Sequence, residues 1–412
     1  MMYLHNFKKT EIGLIPEDWE VKRIKDVCKL VRKSFYPNEN DVRPYLGLEH
    51  IAEGILKLNG IGSSSDVKSG KLVFNKGQIL FGKLRPYFRK VYRPNFDGVC
   101  STDIFVIDKK DNNDNGFLFY FFANPIIIDI ATQSSEGTRM PRASWNYLSD
   151  LEFSFPNLNE QKAISNFLAA LDQKIELNHE MNRTLEEIAQ TLFRHWFIHF
   201  EFPDKNGQPY KSSDGEMVDS EVGEIPVGWK VKKLKNICNI TMGQSPKSEF
   251  YNEEGKGLPF HQGVTNFGKR FPTDKMFCTV ENKIAEYGDI LFSVRAPVGR
   301  INIAKSKIVI GRGLSAIRHE KDFQSFLLYQ LKNIFTEEDS MGSGTVFNAI
   351  TRKDLDDLKV LVPNEEVDKQ FNDFVSPMEK KIENLILEND NLTKIRDSLL
   401  PKLMTGKIRV VR

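Results

Sequence analysis

An internal repeat constrains this chain more than any other feature of its sequence. The segment EIGLIPEDWEVKRIKDVCKL, which begins at Glu11, aligns with EVGEIPVGWKVKKLKNICNI, which begins at Glu221. Further along, Gly77 of KGQILFGKLRP lies opposite Gly288 of YGDILFSVRAP. Self-similarity of this kind indicates two copies of one structural unit. The length of 412 residues fits two domains of roughly 150 residues with connecting elements.

Each copy predicts a globular unit followed by a long helix. The globular parts contain short apolar runs such as GQILFGK and GDILFSV, typical of strands, and the helical segment FLFYFFANPIIIDIA. After Pro156 and Pro363 the pattern of both copies becomes that of a long helix. A polar stretch from Glu201 to Ser220, rich in Gly, Ser, Asp and Lys, joins the copies. We therefore expect mixed α and β structure, repeated once.

Both predicted helices carry an apolar seam at 3-4 spacing, which is typical of a coiled coil. The alternative is two independent amphipathic helices, each packed on its own domain. The two seams have similar lengths and lie at equivalent positions of the repeat, which favours the coiled coil. The seam consists of Leu171, Ile175, Asn178, Asn182, Leu185, Ala189, Leu192 and Trp196, and of Met378, Ile382, Leu385, Asn389, Leu392, Arg396, Leu399 and Leu403.

Asn182 and Asn389 fall at equivalent positions near the middle of their seams. A buried amide there weakens the core but specifies the register of the helices. From Leu171 to Trp196, at about 1.5 Å per residue, the first seam spans roughly 38 Å. That length is close to one turn of B-DNA, about 34–36 Å, so the helices are suited to act as a ruler.

The net charge of +2 does not by itself suggest a nucleic-acid partner, but the distribution of charge does. Asp66 to Asp97 and Asp289 to Glu320 enclose two windows without acidic residues, at matching positions of the repeat. Such windows suggest two surfaces that face phosphate. The alternative is that they are strand edges protected by lysine. Their basic residues are Lys68, Lys71, Lys76, Lys83, Arg85, Arg89, Lys90 and Arg93, then Arg295, Arg300, Lys305, Lys307, Arg312 and Arg318.

Two loops with clustered arginine favour DNA binding over protected edges. Residues 83–90 read KLRPYFRK and residues 137–142 read GTRMPR, and the second-repeat partner of the latter, GTVFN from Gly344, lacks both arginines. Arginine forks onto guanine and phosphate, and two heads that read different sequences should diverge where they touch bases. We predict the DNA contacts Lys83, Arg85, Arg89, Arg139, Arg142, Lys247, Gln262, Arg295 and Arg312.

Catalytic and metal-binding signatures are missing from the sequence. The chain has no Pro-Pro pair for an amine-methylating loop, and Gly70-Lys71-Leu72 does not complete a phosphate-binding loop. His195 and His199 have metal-ligand spacing but no evident third ligand. Four dispersed cysteines and the lack of a long apolar run predict a cytoplasmic protein without a membrane segment. We expect no catalytic residue and no metal site.

The duplicated plan, the I-P-x-x-W-x-V-K opening of each repeat, the G-[QD]-I-L-F strand and the PNLNEQ entry to the first helix resemble the specificity subunit of type I restriction-modification systems. The resemblance covers essentially the whole chain, although the second helix entry reads PNEE instead. It implies an α+β fold: two similar mixed α/β target recognition domains separated by two long helices that form an antiparallel coiled coil, with pseudo-two-fold internal repeat. The implied ranges are 1–156 and 221–363 for the recognition domains, 157–200 for the first spacer helix, 201–220 for the linker and 364–412 for the second helix and tail.

The same resemblance implies a non-catalytic role. Each recognition domain would read one half of an interrupted double-stranded DNA site, and the helices would set the gap. Two modification (methyltransferase) subunits would dock on the helices, and restriction (translocase and nuclease) subunits would join them. S-adenosylmethionine, ATP and Mg would then belong to those partners, and none to this chain. Two other hypotheses remain open at this point: a methylase or nuclease that acts alone, and a protein-interaction module whose basic windows are incidental.

Overall fold

The computed structural model describes residues 6–38, 40–54, 56–135, 140–335 and 349–410. The chain divides into two compact units. Unit 1 comprises Met1–His179 and Ile386–Arg412, and unit 2 comprises Glu180–Leu385. The helices are α1 (Ile24–Val27), α2 (Asn115–Ala123), α3 (Pro125–Gln133), α4 (Trp145–Asp150), α5 (Leu158–Phe197), α6 (Gln324–Ile334), α7 (Arg352–Asp357) and α8 (Glu365–Met404).

The described part of unit 1 contains two larger sheets and two antiparallel two-stranded sheets. Its strands are β1 (Phe7–Thr10), β2 (Gly13–Pro16), β3 (Glu20–Arg23), β4 (Cys28–Val31), β5 (Ser34–Phe35), β6 (Pro44–Leu46), β7 (Gly62–Ser63), β8 (Lys71–Phe74), β9 (Ile79–Gly82), β10 (Val91–Tyr92), β11 (Gly98–Cys100), β12 (Ile104–Lys109) and β13 (Glu152–Phe155). One larger sheet has the order β10-β9-β12-β4 and the other β5-β8-β11-β6-β7, and the two-stranded sheets are β1-β2 and β3-β13. Within the second sheet β11 and β6 run parallel.

The core of unit 1 lies between the first sheet and helices α2 and α3. The aromatic run of α2 is buried on every side, with Phe117 and Phe122 almost fully enclosed. The sequence dictates the break between the helices, because Asn124 caps α3 through Ile126 N and Pro125 occupies its first turn. Proline cannot continue the preceding helix. The sequence therefore yields two short core helices where it predicted one helical segment.

Unit 2 repeats this plan. Its strands are β14 (Met217–Ser220), β15 (Gly223–Pro226), β16 (Lys230–Lys233), β17 (Cys238–Met242), β18 (Tyr251–Asn252), β19 (Leu258–His261), β20 (Phe277–Cys278), β21 (Ile284–Ala285), β22 (Ile290–Ser293), β23 (Ile301–Ile303), β24 (Ile308–Ile310), β25 (Leu314–His319) and β26 (Lys359–Val362). The sheets have the orders β17-β25-β22-β23 and β18-β20-β19-β24-β21. The strands β19 and β24 run parallel, as β6 and β11 do in unit 1.

The strand register of the two units also corresponds. Ile79 of β9 faces Ile107 of β12, and Ile290 of β22 faces Ile317 of β25. All four of these side chains are fully buried. Because a shift by one residue would turn each strand's apolar side chains out of the core, the register is fixed by the same pattern in both copies. The α+β fold with an internal repeat is confirmed.

The polar segment 201–220 has structure of its own. Phe202 stacks on Trp229 with ring centroids 4.9 Å apart, and Tyr210 stacks on Phe202 at 4.6 Å. The end of the segment forms β14, which pairs antiparallel with β15. Two aromatic residues are enough to anchor a segment whose composition is otherwise that of a linker.

Among the described residues, no single helix is long and apolar enough to cross a membrane. The pair formed by α2 and α3 meets that criterion by length and composition only when both are taken together, and it is bent by 61°.

Candidate nucleic-acid interface

In unit 1 two of the predicted binding loops are joined by backbone hydrogen bonds. Lys83 N donates to Asp103 O at 3.0 Å, and Ala143 N donates to Lys83 O at 2.9 Å. Leu84 and Arg142 form an antiparallel bridge next to these bonds. The loop after β9 therefore lies between the loop after β11 and the segment before α4. This arrangement, which we call the unit 1 junction (Lys83–Arg89, Ser101–Asp103 and Met140–Ala143), gathers four of the predicted DNA contacts.

The backbone of the unit 1 junction is held in an unusual conformation at two arginines. Arg85 has a φ of 52° and Arg89 a φ of 54°, at either end of a short helical turn, Pro86–Phe88. Left-handed backbone costs energy in any residue other than glycine, and such strain clusters at functional sites. The conformation leaves Arg85 exposed to solvent. Within the described residues its guanidinium has no hydrogen-bonding or ionic partner.

Two other basic side chains of the unit 1 junction, Lys83 and Arg142, make contacts within the protein. Lys83 Nζ lies 5.5 Å from the centroid of the Phe105 ring. Arg142 forks onto Asp103, with Nε 2.8 Å from Oδ1 and an Nη atom 3.3 Å from Oδ2. Arg89 is half-buried, and its Nε has no hydrogen-bonding partner among the residues that the structure describes. Arg142 thus presents a guanidinium already held in place by a carboxylate.

Unit 2 builds the same junction with different residues. Val294 N donates to Gly313 O at 3.0 Å, Ile350 N donates to Val294 O at 2.9 Å, and Arg295 bridges Ala349. Loops after β17, β19, β22 and β24 meet there. We call this the unit 2 junction (Gly243–Lys247, Gln262–Gly263, Val294–Arg295 and Gly311–Gly313).

One hydroxyl organises the polar side chains of the unit 2 junction. Ser245 Oγ donates to Gln262 Oε1 at 2.8 Å and accepts from Arg312 N at 3.3 Å. The amide nitrogen of Gln262 and the guanidinium groups of Arg295 and Arg312 are left without partners among the described residues, and all three residues are exposed. Lys247, also exposed, lies 3.8 Å from Glu249.

Glycine permits the close approach of these loops. A Cβ on Gly243 would lie 2.1 Å from the carbonyl oxygen of Gly311, and one on Gly311 would lie 2.7 Å from Gln262 Oε1. Neither position has space for a side chain, so the loops meet through bare backbone.

The two junctions place arginine at different equivalent positions. Their matching hydrogen bonds pair Leu84 with Arg295 and Arg142 with Ala349. At the end of the parallel strand, Thr102 of unit 1 corresponds to Arg312 of unit 2. The two junctions therefore share their backbone hydrogen bonds, whereas their charged side chains differ.

Several other cations of the basic windows serve the protein itself. Lys71 is buried and donates to Ser69, and Lys90 donates to Leu48 O at 2.7 Å. In unit 2, Arg318 binds Asp289 at 2.6 Å. Only part of each window is therefore available to a polyanion. Arg139 lies outside the described residues.

Within unit 1 the two long helices run antiparallel. Asp172 of α5 contacts Arg396 of α8 at 2.7 Å, and further along α5 Asn178 Nδ2 donates to Asn389 Oδ1 at 2.8 Å. Asn389 Nδ2 also donates to the carbonyl oxygen of Ile175 at 3.2 Å. Asn389 therefore bonds to Asn178 rather than to Asn182.

Within unit 2 the other halves of the helices also run antiparallel. Glu186 and Glu379 lie on either side of Arg270, and further along α5 the Trp196 ring lies 6.0 Å from the Phe371 ring. Each predicted seam position is buried or half-buried: Leu171, Ile175, Asn182, Leu185 and Leu192 of α5, and Met378, Ile382, Asn389, Leu392 and Leu399 of α8. Asn182 Oδ1 is buried on α5 and has no hydrogen-bonding partner within the described ranges.

No metal centre is evident in the described ranges, where no group of three His, Cys, Asp or Glu residues could hold an ion. His195 and His199 are exposed at the end of α5. The four cysteines are free and buried, and burial raises the pKa of Cys28 and of Cys100 to about 12.

Sequence reasoning did not identify Asp103, Ser245 or Asn178 as organising residues. Asp103 contacts an arginine 39 positions away, and Ser245 contacts a glutamine 17 positions away. Asn178 stands on the seam, but its partner depends on the register of the helices. None of these contacts has a local sequence signal.

Comparison with known proteins shows the same family throughout. The family model described as type I restriction modification DNA specificity domain matches residues 16–187 and 226–393. The MjaX specificity subunit of a type I restriction enzyme from Methanocaldococcus jannaschii is 32% identical, covering 98% of this chain and 97% of that protein. The HindI specificity subunit from Haemophilus influenzae is 25% identical, covering 95% of this chain and 100% of that protein.

A solved structure has the same fold. The S subunit of a type I restriction-modification system from M. genitalium is 18% identical and covers 93% of this chain and 96% of its own, with a TM-score of 0.60.

Proposed function

The chain belongs to the type I restriction modification DNA specificity family, and we propose that each of its recognition domains reads one half of a two-part DNA site. Membership gives the chain its role as the DNA specificity subunit, which is non-catalytic. Methyl transfer and cleavage belong to the modification and restriction subunits with which it assembles. The DNA sequence is selected by residues of this chain itself.

The single observation that carries the proposal is the difference between the two junctions. They share backbone hydrogen bonds, yet unit 1 exposes Arg85, whereas unit 2 exposes Arg295 and Arg312 at the positions of Leu84 and Thr102. Exposed guanidinium groups without protein partners are available to fork onto guanine O6 and N7 or onto phosphate. A shared backbone arrangement with different hydrogen-bond donors is expected of two recognition domains that read different half-sites.

The remaining predicted contacts have distinct roles in this proposal. Gln262 has a free amide nitrogen beside an oxygen that Ser245 already holds, which orients it to recognise a base edge such as that of adenine. Lys247, Lys83 and Arg89 contribute charge toward the phosphates. Arg142 must exchange its bond to Asp103 for one to DNA, so its energetic contribution is smaller than that of Arg312. Arg139 completes the set.

The helices set the distance between half-sites and bind two modification subunits. Both functions are supported by the antiparallel pairing in each unit and by apolar side chains that remain exposed on the helices. We take the exposed apolar side chains of the helix pair as the docking surface. These residues are Phe167, Leu177, Leu387 and Ile395 in unit 1, and Ile188 and Phe374 in unit 2.

In this proposal the cofactors of the complex are bound by the partner subunits. S-adenosylmethionine binds the modification subunits, and ATP and Mg bind the restriction subunits, so this chain requires none of its own. The complex acts on double-stranded DNA in the cytoplasm.

The test is to map methylated adenines in DNA from cells that carry this chain with its modification subunit. We expect a motif in two parts with a fixed gap. A continuous motif would refute the assignment of one half-site to each domain. As a control, the purified chain is incubated with DNA and labelled S-adenosylmethionine. Methyl transfer without a partner would show that the chain itself is a methylase.

A further inference from the structure

In unit 2 one arginine connects the recognition domain to both long helices. Arg270 lies between β19 and β20, and its side chain is only 8% exposed. One Nη atom is 3.0 Å from Glu186 Oε2 on α5, and the other is 3.0 Å from Glu379 Oε1 on α8. A planar guanidinium is suited to bridge two carboxylates in this way.

The two carboxylates are also held from α6. Lys332 donates to Glu186, and Ser325 Oγ donates to Glu379 Oε2 at 2.6 Å. Burial pushes the pKa of Glu186 upward, but Lys332 and Arg270 outweigh it and leave the pKa below its ordinary value. Two cations and two anions therefore balance in a cluster that joins the loop to three helices.

The same loop begins at the unit 2 junction. Gln262 accepts from Gly313 N at 3.0 Å, and Arg270 O accepts from Ile303 N at 2.8 Å. Asn302 Nδ2 donates to the carbonyl oxygen of Gly268 at 2.9 Å. The segment from Gln262 to Arg270 is thus tied to the sheet along its length. A displacement of Arg270 relative to the helices is transmitted to the residues that face DNA.

The described residues of the equivalent loop of unit 1, between β6 and β7, do not form such a cluster with the helices. Lys57, which follows β6, makes a single ion pair with Glu176 of α5 at 3.0 Å, and both side chains are well exposed. An exposed pair of this kind contributes little to stability. A buried network, by contrast, adds little net stability but can select one geometry, because removing a partner leaves a charge without compensation.

We propose that Arg270 is a positioning residue that fixes the second recognition domain on the helix pair, and so fixes the gap at which its half-site is read. The proposal rests on the proposed function, in which the helices set the spacing. Arg270 acts through the loop that ends at Gln262 and does not itself touch DNA. Its loss therefore alters tolerance to the gap rather than the choice of bases.

The experiment uses the full chain assembled with its modification subunits and the target mapped for the wild type. Affinity is measured on duplexes with the natural gap and with gaps one base pair longer and shorter. The variant Arg270→Met keeps the length of the side chain and removes its charge, and Lys57→Met is the matched control. We expect Arg270→Met to lower the preference for the natural gap about tenfold, and Lys57→Met to change it less than about twofold.

Each possible result supports or overturns the positioning role of Arg270. An unchanged gap preference in Arg270→Met, or an equal loss of affinity at every gap, would overturn the positioning role. If Arg270→Met fails to assemble, Glu379→Gln removes one charge at nearly constant shape, and the same widening of gap tolerance is required of it. A wild-type complex without any gap preference would instead refute the proposed function itself, whatever Arg270 does.

Discussion

Asn178 and Asn389 form a buried amide pair whose coupling is measurable. Asn178 is fully buried and donates to Asn389 Oδ1 at 2.8 Å and to Glu388 Oε2 at 2.9 Å. Replacing Asn389 by Leu removes two hydrogen bonds, each of about 0.5–1.5 kcal/mol. Replacing Asn178 by Leu leaves Asn389 Oδ1 buried without its partner, at a cost of about 1–3 kcal/mol. The double variant leaves neither amide behind.

We therefore expect the two single substitutions to couple. The double variant should be more stable than the sum of the single effects by about 1–3 kcal/mol, because an apolar pair replaces an unsatisfied polar group. A two-domain chain does not unfold in one step, so the measurement is the local opening free energy from amide hydrogen exchange in α5 around Asn178. Leu171→Ile, elsewhere on the seam, is the control.

Additive single effects, within about 0.5 kcal/mol, would contradict a direct interaction. A loss of specificity is also expected. Without the amide pair, registers of the helices that differ by a turn become closer in energy. The double variant should then tolerate altered gaps between half-sites while gaining stability, and a rigid gap preference would count against the register role.

Three further predictions follow from the units themselves. Gly243→Ala should lower affinity for the half-site read by unit 2, because its Cβ would lie 2.1 Å from the carbonyl oxygen of Gly311, and unchanged affinity in a binding titration would contradict this. Burial and the nearby Glu365 raise the pKa of Asp368 to about 8 despite the Asn372 hydrogen bond. Because the carboxyl group ionises at a lower pH in the unfolded chain, the free energy of unfolding falls as the pH rises from about 4 to 8. Asp368→Asn should accordingly raise the melting temperature at pH 8 and not at pH 4, whereas an equal rise at both would refute the ionisation argument. With pKa values of about 12, the thiols of Cys28 and Cys100 should resist a thiol reagent at pH 8 until the chain unfolds, and rapid labelling of the native chain would exclude their burial.

Much of the fold is predictable because its signals are local and occur twice. The strands around Ile79 and Ile290 carry the same apolar run, and the two long helices carry matched seams. The break before Pro125 is also a local signal that the sequence interpretation passed over. Fold class and family are confirmed, whereas the recognition-domain boundaries and the individual DNA contacts stay predictions.

The candidate site is less predictable because its geometry depends on contacts between distant segments. A run of basic residues does not reveal that Lys71 and Lys90 turn into the protein, or that Asp103 holds Arg142. The partner of Asn389 depends on how the two helices align, which the sequence of neither helix reveals alone. The charge pattern singles out candidate loops, but only the tertiary contacts separate cations that bind within the protein from cations that are available to a ligand.

The most direct test of the central claim, one half-site for each reading head, is methylation mapping with variants of one head at a time. Arg295→Ala combined with Arg312→Ala should make bases degenerate in one half of the motif and leave the other half unchanged. Arg85→Ala should relax the opposite half, or leave the motif intact with weaker binding if it contacts only phosphate. Relaxation of both halves by the unit 2 variant, or of the same half by both variants, would contradict the account.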